Sequence, residues 1–181
     1  MKSQALNKHS AEFRERFLHI LQTEEYRDIN SIYFSGGVDS ATILFALLEL
    51  GRKPDLMSFE LEGIPSPDRK VGSDIAKYYG LNYKCVTIKT SKDAVLSDIR
   101  TVIPYLTYNL KVHVQCSIPF LYMSKALSEA GHVSALTGIG AGDIHGLNKK
   151  VNIALKEKGE EYVKQLRYDA LYTKASISDF S

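Results

Sequence analysis

The chain has 181 residues, which fits one domain and allows roughly 70% of the unfolded surface to be buried without metal or disulfide cross-links. Hydrophobic residues make up 44% and charged residues 24%, so neither general disorder nor a membrane span is indicated. The 23 Lys and Arg nearly balance the 21 Asp and Glu, so the charge gives no indication of a nucleic-acid or acidic-lipid surface.

Residues 1–28 are expected to form an N-terminal helix. They are polar around an apolar series at helical spacing, formed by Phe13, Phe17 and Leu21. Ser10 is a candidate cap for this helix. The segment lacks the continuous apolar core of a signal peptide, which favours a cytoplasmic protein.

The two cysteines, Cys85 and Cys116, each lie alone in an apolar context. Neither belongs to a cluster with the spacing of metal ligands or of a redox pair. We therefore expect both to be buried, reduced thiols.

Strands and helices alternate along the chain. Strands are predicted at 31–35, 55–61, 83–88 and 132–137, from β-branched and aromatic runs bounded by turn residues. Helices are predicted at 39–50, 67–79, 95–103 and 119–130, the second capped by Ser66 and closed by Gly80, and the last starting at Pro119. Residues 105–118 are expected to be irregular, and 149–175 to be charged helices broken at Gly159.

This alternation predicts an α/β fold of three layers, with a mostly parallel sheet covered by helices on both faces and a single domain over 1–181. Ligands in such sheets bind beyond the carboxyl ends of the strands, near the point where the strand order reverses. Because each of them ends or follows a strand, Ser35–Ser40, Leu61 and Thr137–Gly142 are expected to surround one crevice.

The segment Ser35–Ser40, Ser-Gly-Gly-Val-Asp-Ser, lies between an apolar strand and an apolar helix. Glycines let the backbone approach phosphate oxygens, and the helix amino end supplies unpaired N–H groups and a partial positive charge. Asp39 would repel a polyanion unless it holds a cation, so Mg²⁺ is implied. The alternative is an ordinary strand-to-helix turn, but five specified residues should coincide in only about one in a million windows.

The same six residues resemble the signature of the pyrophosphate-loop ATPases, also called N-type ATP pyrophosphatases, which have an adenine nucleotide alpha hydrolase-like fold. The resemblance implies ATP and Mg²⁺ as cofactors, and transfer of AMP with release of pyrophosphate. Within this superfamily the chain is most similar to the synthetase domain of asparagine synthetase. The similar segments are Ser58–Leu61, Ser66–Asp68, Ser117–Ser124 and Leu136–Gly146.

Carried over from this resemblance, the nucleotide would be bound by ten residues. They are Phe34, Ser35, Gly36, Gly37, Val38, Asp39, Ser40, Leu61, Thr137 and Gly138. Asp39, Ser40 and Lys174 are the implied catalytic residues, and Asp39 and Asp143 the implied metal ligands.

Two positions depart from the family pattern, with Ile139 in place of a glutamate and Gly142 in place of the metal aspartate, next to Asp143. The leading hypothesis is an adenylating ligase that activates a carboxylate or amide of a small-molecule acceptor, without its own glutaminase domain. The alternatives are a tRNA- or nucleobase-modifying enzyme and a degenerate nucleotide-binding subunit. A partner subunit or a homo-oligomer is compatible with each, whereas nucleic acid is not indicated and no membrane partner is expected.

Overall fold

The computed structural model describes residues 2–106, 111–141 and 149–168. These residues belong to two compact units that meet in sequence between Thr137 and Gly138. The first unit contains the sheet and all of its covering helices, and the second contains the C-terminal helix.

The sheet of the first unit has four strands. They are β1 Ser31–Tyr33, β2 Asp55–Leu61, β3 Tyr83–Ile88 and β4 Leu136–Thr137. Their order is β3-β2-β1-β4, and every neighbouring pair is parallel. The register pairs Tyr33 with Met57 on one side and with Thr137 on the other.

The helices follow the strands in the alternating order that the sequence predicts. They are α1 Lys2–Leu21, α2 Val38–Glu49, α3 Pro67–Tyr79, α4 Lys92–Val102, α5 Lys111–Glu129 and α6 Lys149–Tyr168, with a short 3₁₀ turn at Ile103–Tyr105. In α6 the backbone is non-helical at Gly159, where a break was predicted.

Alternate residues of the central strands pack against helices on opposite faces of the sheet. Ile32 and Leu56 lie in a buried cluster with Leu44 of α2, and α1 and α3 contribute to the same cluster. Met57, the residue after Leu56 in β2, lies in a second buried cluster with Met123 of α5. The three-layer α/β fold is therefore confirmed, because the period-two alternation of a strand sends successive side chains to different layers.

The predicted start of α3 is confirmed. The side chain of Ser66 accepts a hydrogen bond from the N–H of Asp68 at 3.2 Å, and Pro67 occupies the first turn. Gly80 ends the helix in the left-handed conformation, with φ of 63°. Serine, proline and glycine thus occupy the positions that their backbone preferences favour.

Two predicted helix starts are wrong. The helix α1 begins at Lys2, so Ser10 lies within it and does not cap it. The helix α5 begins at Lys111, which places Pro119 inside it. Much of 105–118, which was predicted to be irregular, is therefore helical. Proline favours a first turn because it lacks an N–H donor, so this local signal indicated a helix start that α5 does not have.

The outer strands also differ from their predicted lengths. The strand predicted at 132–137 pairs with β1 only at Leu136 and Thr137. In the residues before Leu136, the Ser31 hydroxyl donates a hydrogen bond to the carbonyl of Ser134 at 2.6 Å. This side-chain bond joins the two segments where backbone strand pairing is not formed. Similarly β1 ends at Tyr33, because the glycine-rich segment then turns toward α2.

The expectation of two buried thiols is wrong for Cys116, which is exposed, whereas Cys85 is partly buried. Cys116 lies in the first half of α5, and the buried residues of that helix, Met123, Ala126 and Leu127, all lie in its second half. Both cysteines are free thiols in the structure.

Candidate nucleotide-binding site

The loop that follows β1 starts at the topological switch point of the sheet. The chain leaves β1 toward β2 on one side, and β4 is added later on the other side. Open α/β sheets bind ligands at this position, beyond the carboxyl ends of the strands. The pairing of Tyr33 with Thr137 places the ends of β1 and β4 next to each other.

The Ser40 hydroxyl braces the loop from within. Its Oγ donates to the carbonyl of Gly37 at 3.1 Å, accepts from the N–H of Ser35 at 3.3 Å and lies 3.3 Å from the Ser35 hydroxyl. The N–H of Gly37 in turn donates to Ser35 Oγ at 3.3 Å. Ser40 is 3% exposed, so its hydroxyl organises the loop and does not face solvent.

The helix α2 begins without a side-chain cap. Its N-cap residue is Gly37, with an extended backbone, and a glycine has no side chain to accept hydrogen bonds from the first turn. The N–H groups at the amino end of a helix have no partner within the helix and attract anions. The local structure therefore suits a phosphate group.

The two glycines of the loop have different structural roles. Gly36 has a positive φ of 75°, and a Cβ added there would lie 2.8 Å from Cγ1 of Val71 in α3. Gly37 has an ordinary φ of −73°, and a Cβ there would meet only the Ser35 hydroxyl, at 3.3 Å. Gly36 is thus required by backbone conformation and by close packing of α3, a reason that the sequence analysis missed.

The apolar residues assigned to the nucleotide differ in exposure. Phe34 is 1% exposed and belongs to the core, and its N–H is bonded to the carbonyl of Met57 at 2.7 Å. Only its carbonyl is left for a ligand. Val38 is 75% and Leu61 39% exposed, and Thr137 is also exposed, so these three offer accessible surface.

The remaining predicted site residues lie elsewhere in the chain. Gly138 begins the second unit, where its carbonyl accepts a hydrogen bond from the N–H of Ala141 at 3.3 Å. Gly142, Asp143 and Lys174 lie outside the described residues.

Asp39 lies in the first turn of α2 and is partly buried. Its negative charge is favourable there, because the helix macrodipole is positive at that end. Among the described residues there is no group of three or more His, Cys, Asp or Glu that could hold a metal. Mg²⁺ bound with a nucleotide usually needs only one or two carboxylates besides phosphate oxygens, so Asp39 fits this ion without such a group.

A charged pair that the sequence analysis missed lies between β2 and α3. Nη1 of Arg69 donates to Oε1 of Glu60 at 2.7 Å, and the bond to Glu60 raises the pKa of Arg69 further above its usual value. The pairing depends on how α3 packs on β2. Its only sequence signal is an acidic residue near the end of a strand whose other residues are mostly apolar.

The parallel three-layer fold and the glycine-rich loop at its switch point define an α/β protein of a nucleotide-binding type. The asparagine synthase family matches residues 30–167, which is most of the chain. The chain belongs to this family, as the resemblance of its motifs predicted, and enzymes of the family use ATP. Among the curated proteins none matches the chain.

The helices in the described part of the chain are too short or too polar to cross a membrane.

Proposed function

We propose that this chain binds Mg²⁺–ATP through Ser35–Ser40 and transfers AMP to a carboxylate or amide oxygen of a small-molecule acceptor. The observation that supports this most is the loop itself, an uncapped helix start braced by Ser40 at the switch point of the sheet. Membership of an ATP-using family indicates which anion the loop would bind.

In this proposal the β and γ phosphates lie on the amino end of α2. The backbone N–H groups there and the exposed Ser35 hydroxyl supply donors, and Gly37 keeps the approach beside Ser35 free of a side chain. The buried Ser40 hydroxyl acts indirectly by holding Ser35 and Gly37 in place. Its catalytic contribution is therefore to pre-organise the phosphate donors.

The adenosine would lie across the carboxyl ends of β1, β2 and β4. The Phe34 carbonyl, the exposed Leu61 side chain and Thr137 come from these three strands or directly follow them. By the family resemblance Gly138 would border the same nucleoside. Apolar contact with Leu61 suits a purine face, whereas no acidic residue is assigned to read a guanine amino group.

Mg²⁺ would be held by Asp39, with Asp143 as the second ligand that the family resemblance suggests. The ion supplies charge neutralisation on the phosphates. The Asp39 carboxylate would keep it at the amino end of α2 while the loop donors bind the remaining oxygens. The family resemblance suggests Lys174 as a further phosphate partner.

The reaction follows from this placement. An acceptor oxygen attacks the α phosphorus, its new P–O bond replaces the bond to the α,β-bridging oxygen, and pyrophosphate leaves with that electron pair. Since the loop binds the β and γ phosphates both before and after cleavage, Ser35–Ser40 position the leaving group without taking a proton. Positioning and electrostatic stabilisation would supply most of the catalysis.

Attack by an amine or ammonia on the adenylated acceptor would then form the C–N bond and release AMP. We infer that the nitrogen donor comes from solution or from a partner subunit. A homo-oligomer would be compatible with the same chemistry.

A screen of amino acids and nucleosides as acceptors tests the proposal, with ATP-dependent release of pyrophosphate as the readout. We expect release with one class of acceptor and none without Mg²⁺. The exposed Ile139, which replaces a family glutamate, favours a second candidate, a nucleotide-binding subunit without activity. Stabilisation by ATP without AMP formation from any acceptor would favour that candidate.

A further inference from the structure

The chain reverses direction at the carboxyl end of β2. Leu61, the last residue of the strand, pairs with Ile64 in antiparallel orientation, and the Ile64 N–H donates to the Leu61 carbonyl at 2.9 Å. Between them Gly63 has a positive φ of 76°, which a type II turn requires at its third position. Residues that lie directly opposite each other in an antiparallel pair have their side chains on one face. The turn therefore places the side chains of Leu61 and Ile64 next to each other.

Both of these side chains are accessible to solvent. Ile64 is 61% exposed and Leu61 is 39% exposed. Exposed apolar residues that are scattered singly over a surface are ordinary, but these two are adjacent. The Cβ atoms of such a pair lie about 5 Å apart, so together they offer an apolar surface wider than one side chain. A surface of this kind suits one face of a planar group with two fused rings.

The turn is held in place by β3. The N–H of Glu62 donates to the carbonyl of Ile88 at 2.8 Å, and Oε2 of Glu62 accepts from the N–H of Thr90 at 3.4 Å. A surface that is ordered before binding loses less conformational entropy when a ligand arrives. The pair formed by Leu61 and Ile64 is therefore presented on a fixed part of the fold.

The position of the turn along β2 separates it from the phosphate loop. Phe34, the residue before the loop, donates its N–H to the carbonyl of Met57 at 2.7 Å. Leu61 lies four residues after Met57 in the same strand, about 13 Å further toward the carboxyl end. An extended nucleotide can span a distance of this size when its terminal phosphates lie on the loop. The turn is thus suited to contact the base and not the phosphates.

We propose that Leu61 and Ile64 together form a platform for the base of ATP, and that Ile64 makes the site prefer purine to pyrimidine nucleotides. This inference rests on the proposed function of the loop. One ring of a purine covers Leu61 and the other covers Ile64, and removal of both side chains from water stabilises the complex. A pyrimidine has a single ring and covers only one of the two side chains.

The competing interpretation is that Ile64 serves only the turn and the fold. Inorganic tripolyphosphate separates the two interpretations, because it carries the phosphates of ATP without a base. A change that damages the loop or the fold weakens the binding of both ligands. Loss of a contact with the base weakens the binding of ATP alone.

The test is calorimetric titration of the full chain with ATP, CTP and inorganic tripolyphosphate, each with Mg²⁺. We expect Ile64→Ser to lower the affinity for ATP about fivefold or more, as for loss of a partly buried isoleucine contact. The affinities for CTP and tripolyphosphate should be unchanged. The matched control is Val133→Ser, which replaces another exposed β-branched residue, in the segment before β4, and should match the wild type for all three ligands.

Gly63 tests whether the turn positions Ile64. No atom lies within 4 Å of its Cβ position, so a side chain there acts only through the backbone conformation. Valine is strained at a positive φ, whereas asparagine tolerates it. We expect Gly63→Val to weaken ATP binding relative to tripolyphosphate, and Gly63→Asn to bind both like the wild type. Wild-type ATP affinity in Gly63→Val would show that the turn does not position Ile64.

Equal losses of ATP and tripolyphosphate affinity in Ile64→Ser, or no loss of either, would overturn the base platform while leaving phosphate binding by the loop intact. Equal affinities of the wild type for ATP and CTP would overturn the purine preference. Failure of the wild type to bind both ATP and tripolyphosphate would instead overturn the proposed function, and this inference with it.

Discussion

Adjacent glycines of the loop serve different physical purposes. Gly36 is in the left-handed region and lies against α3, so a side chain there is strained whatever ligand is bound. Gly37 has a φ that any residue adopts, and its Cβ position meets only the Ser35 hydroxyl. Gly37 is therefore the position at which the phosphate site can be altered with least effect on the fold.

We predict that Gly37→Ala keeps the fold and weakens ATP binding. The added methyl displaces the Ser35 hydroxyl and its bond to the Gly37 N–H, at a cost of about 1 kcal/mol in binding free energy. Thermal unfolding and ATP titration measure the two effects. In Gly36→Ala, by contrast, the melting temperature itself should fall. If Gly37→Ala binds ATP as tightly as the wild type, the assignment of the loop to phosphate binding is wrong.

Asp39 is the residue that we expect to hold Mg²⁺. Asp39→Asn removes the charge with almost no change in shape, and carboxylate charge dominates the binding of a hard cation, whereas the loop N–H groups remain for phosphate. ATP affinity measured with Mg²⁺ and with EDTA should differ in the wild type and be nearly equal in the variant. Full Mg²⁺ dependence in Asp39→Asn would move the metal site elsewhere, with Asp143 the next candidate.

Among the secondary-structure elements, α3 links the core to the loop. Val71 contacts the position of Gly36, and Gly72 lets α3 approach the ring of Tyr83 in β3. The Tyr83 hydroxyl is bonded to Ser58 Oγ at 2.5 Å, which connects β3 to β2 beneath the same helix. Burial raises the pKa of Tyr83, so this phenol stays protonated at neutral pH. Small residues on α3 therefore determine how closely the helix packs on the sheet.

We predict that Gly72→Ala destabilises the fold, although alanine is the better helix former. Its Cβ would lie 2.4 Å from the ring of Tyr83, and overpacking of this kind costs about 1–3 kcal/mol in the free energy of unfolding. Denaturant unfolding measures this change. Ser73→Ala, on the exposed side of α3, is the control and should be neutral or slightly stabilising. Stabilisation by Gly72→Ala would mean that α3 is packed less closely than described.

Nucleotide binding should raise the melting temperature of the protein. A ligand that binds only the native state stabilises it by about 2.7 kcal/mol at a hundred times its dissociation constant. We predict that ATP raises the melting temperature more than GTP at equal concentration, since the proposed base contacts, Leu61 and Thr137, carry no carboxylate. Thermal unfolding with Mg²⁺ and each nucleotide measures this. Equal shifts would contradict the adenine preference.

Much of the fold was predictable because local patterns were strong. The strands β2 and β3 match their predicted limits, since each is a continuous run bounded by turn residues, and α3 carries its own start and stop signals at Ser66 and Gly80. The start of α5 was not predictable, because Pro119 locally indicates a helix beginning, whereas the helix begins at Lys111. The expectation of one domain over the whole chain stays a prediction.

The sequence by itself determined the α/β class, the family and the position of the loop, because these depend on alternation and on a contiguous motif. Only the tertiary structure decided why Gly36 is a glycine, that the Phe34 side chain is unavailable to a ligand, and that Arg69 pairs with Glu60. Each of these depends on contacts between β1, β2 and α3. Such contacts join residues far apart in the chain, and no local pattern encodes them.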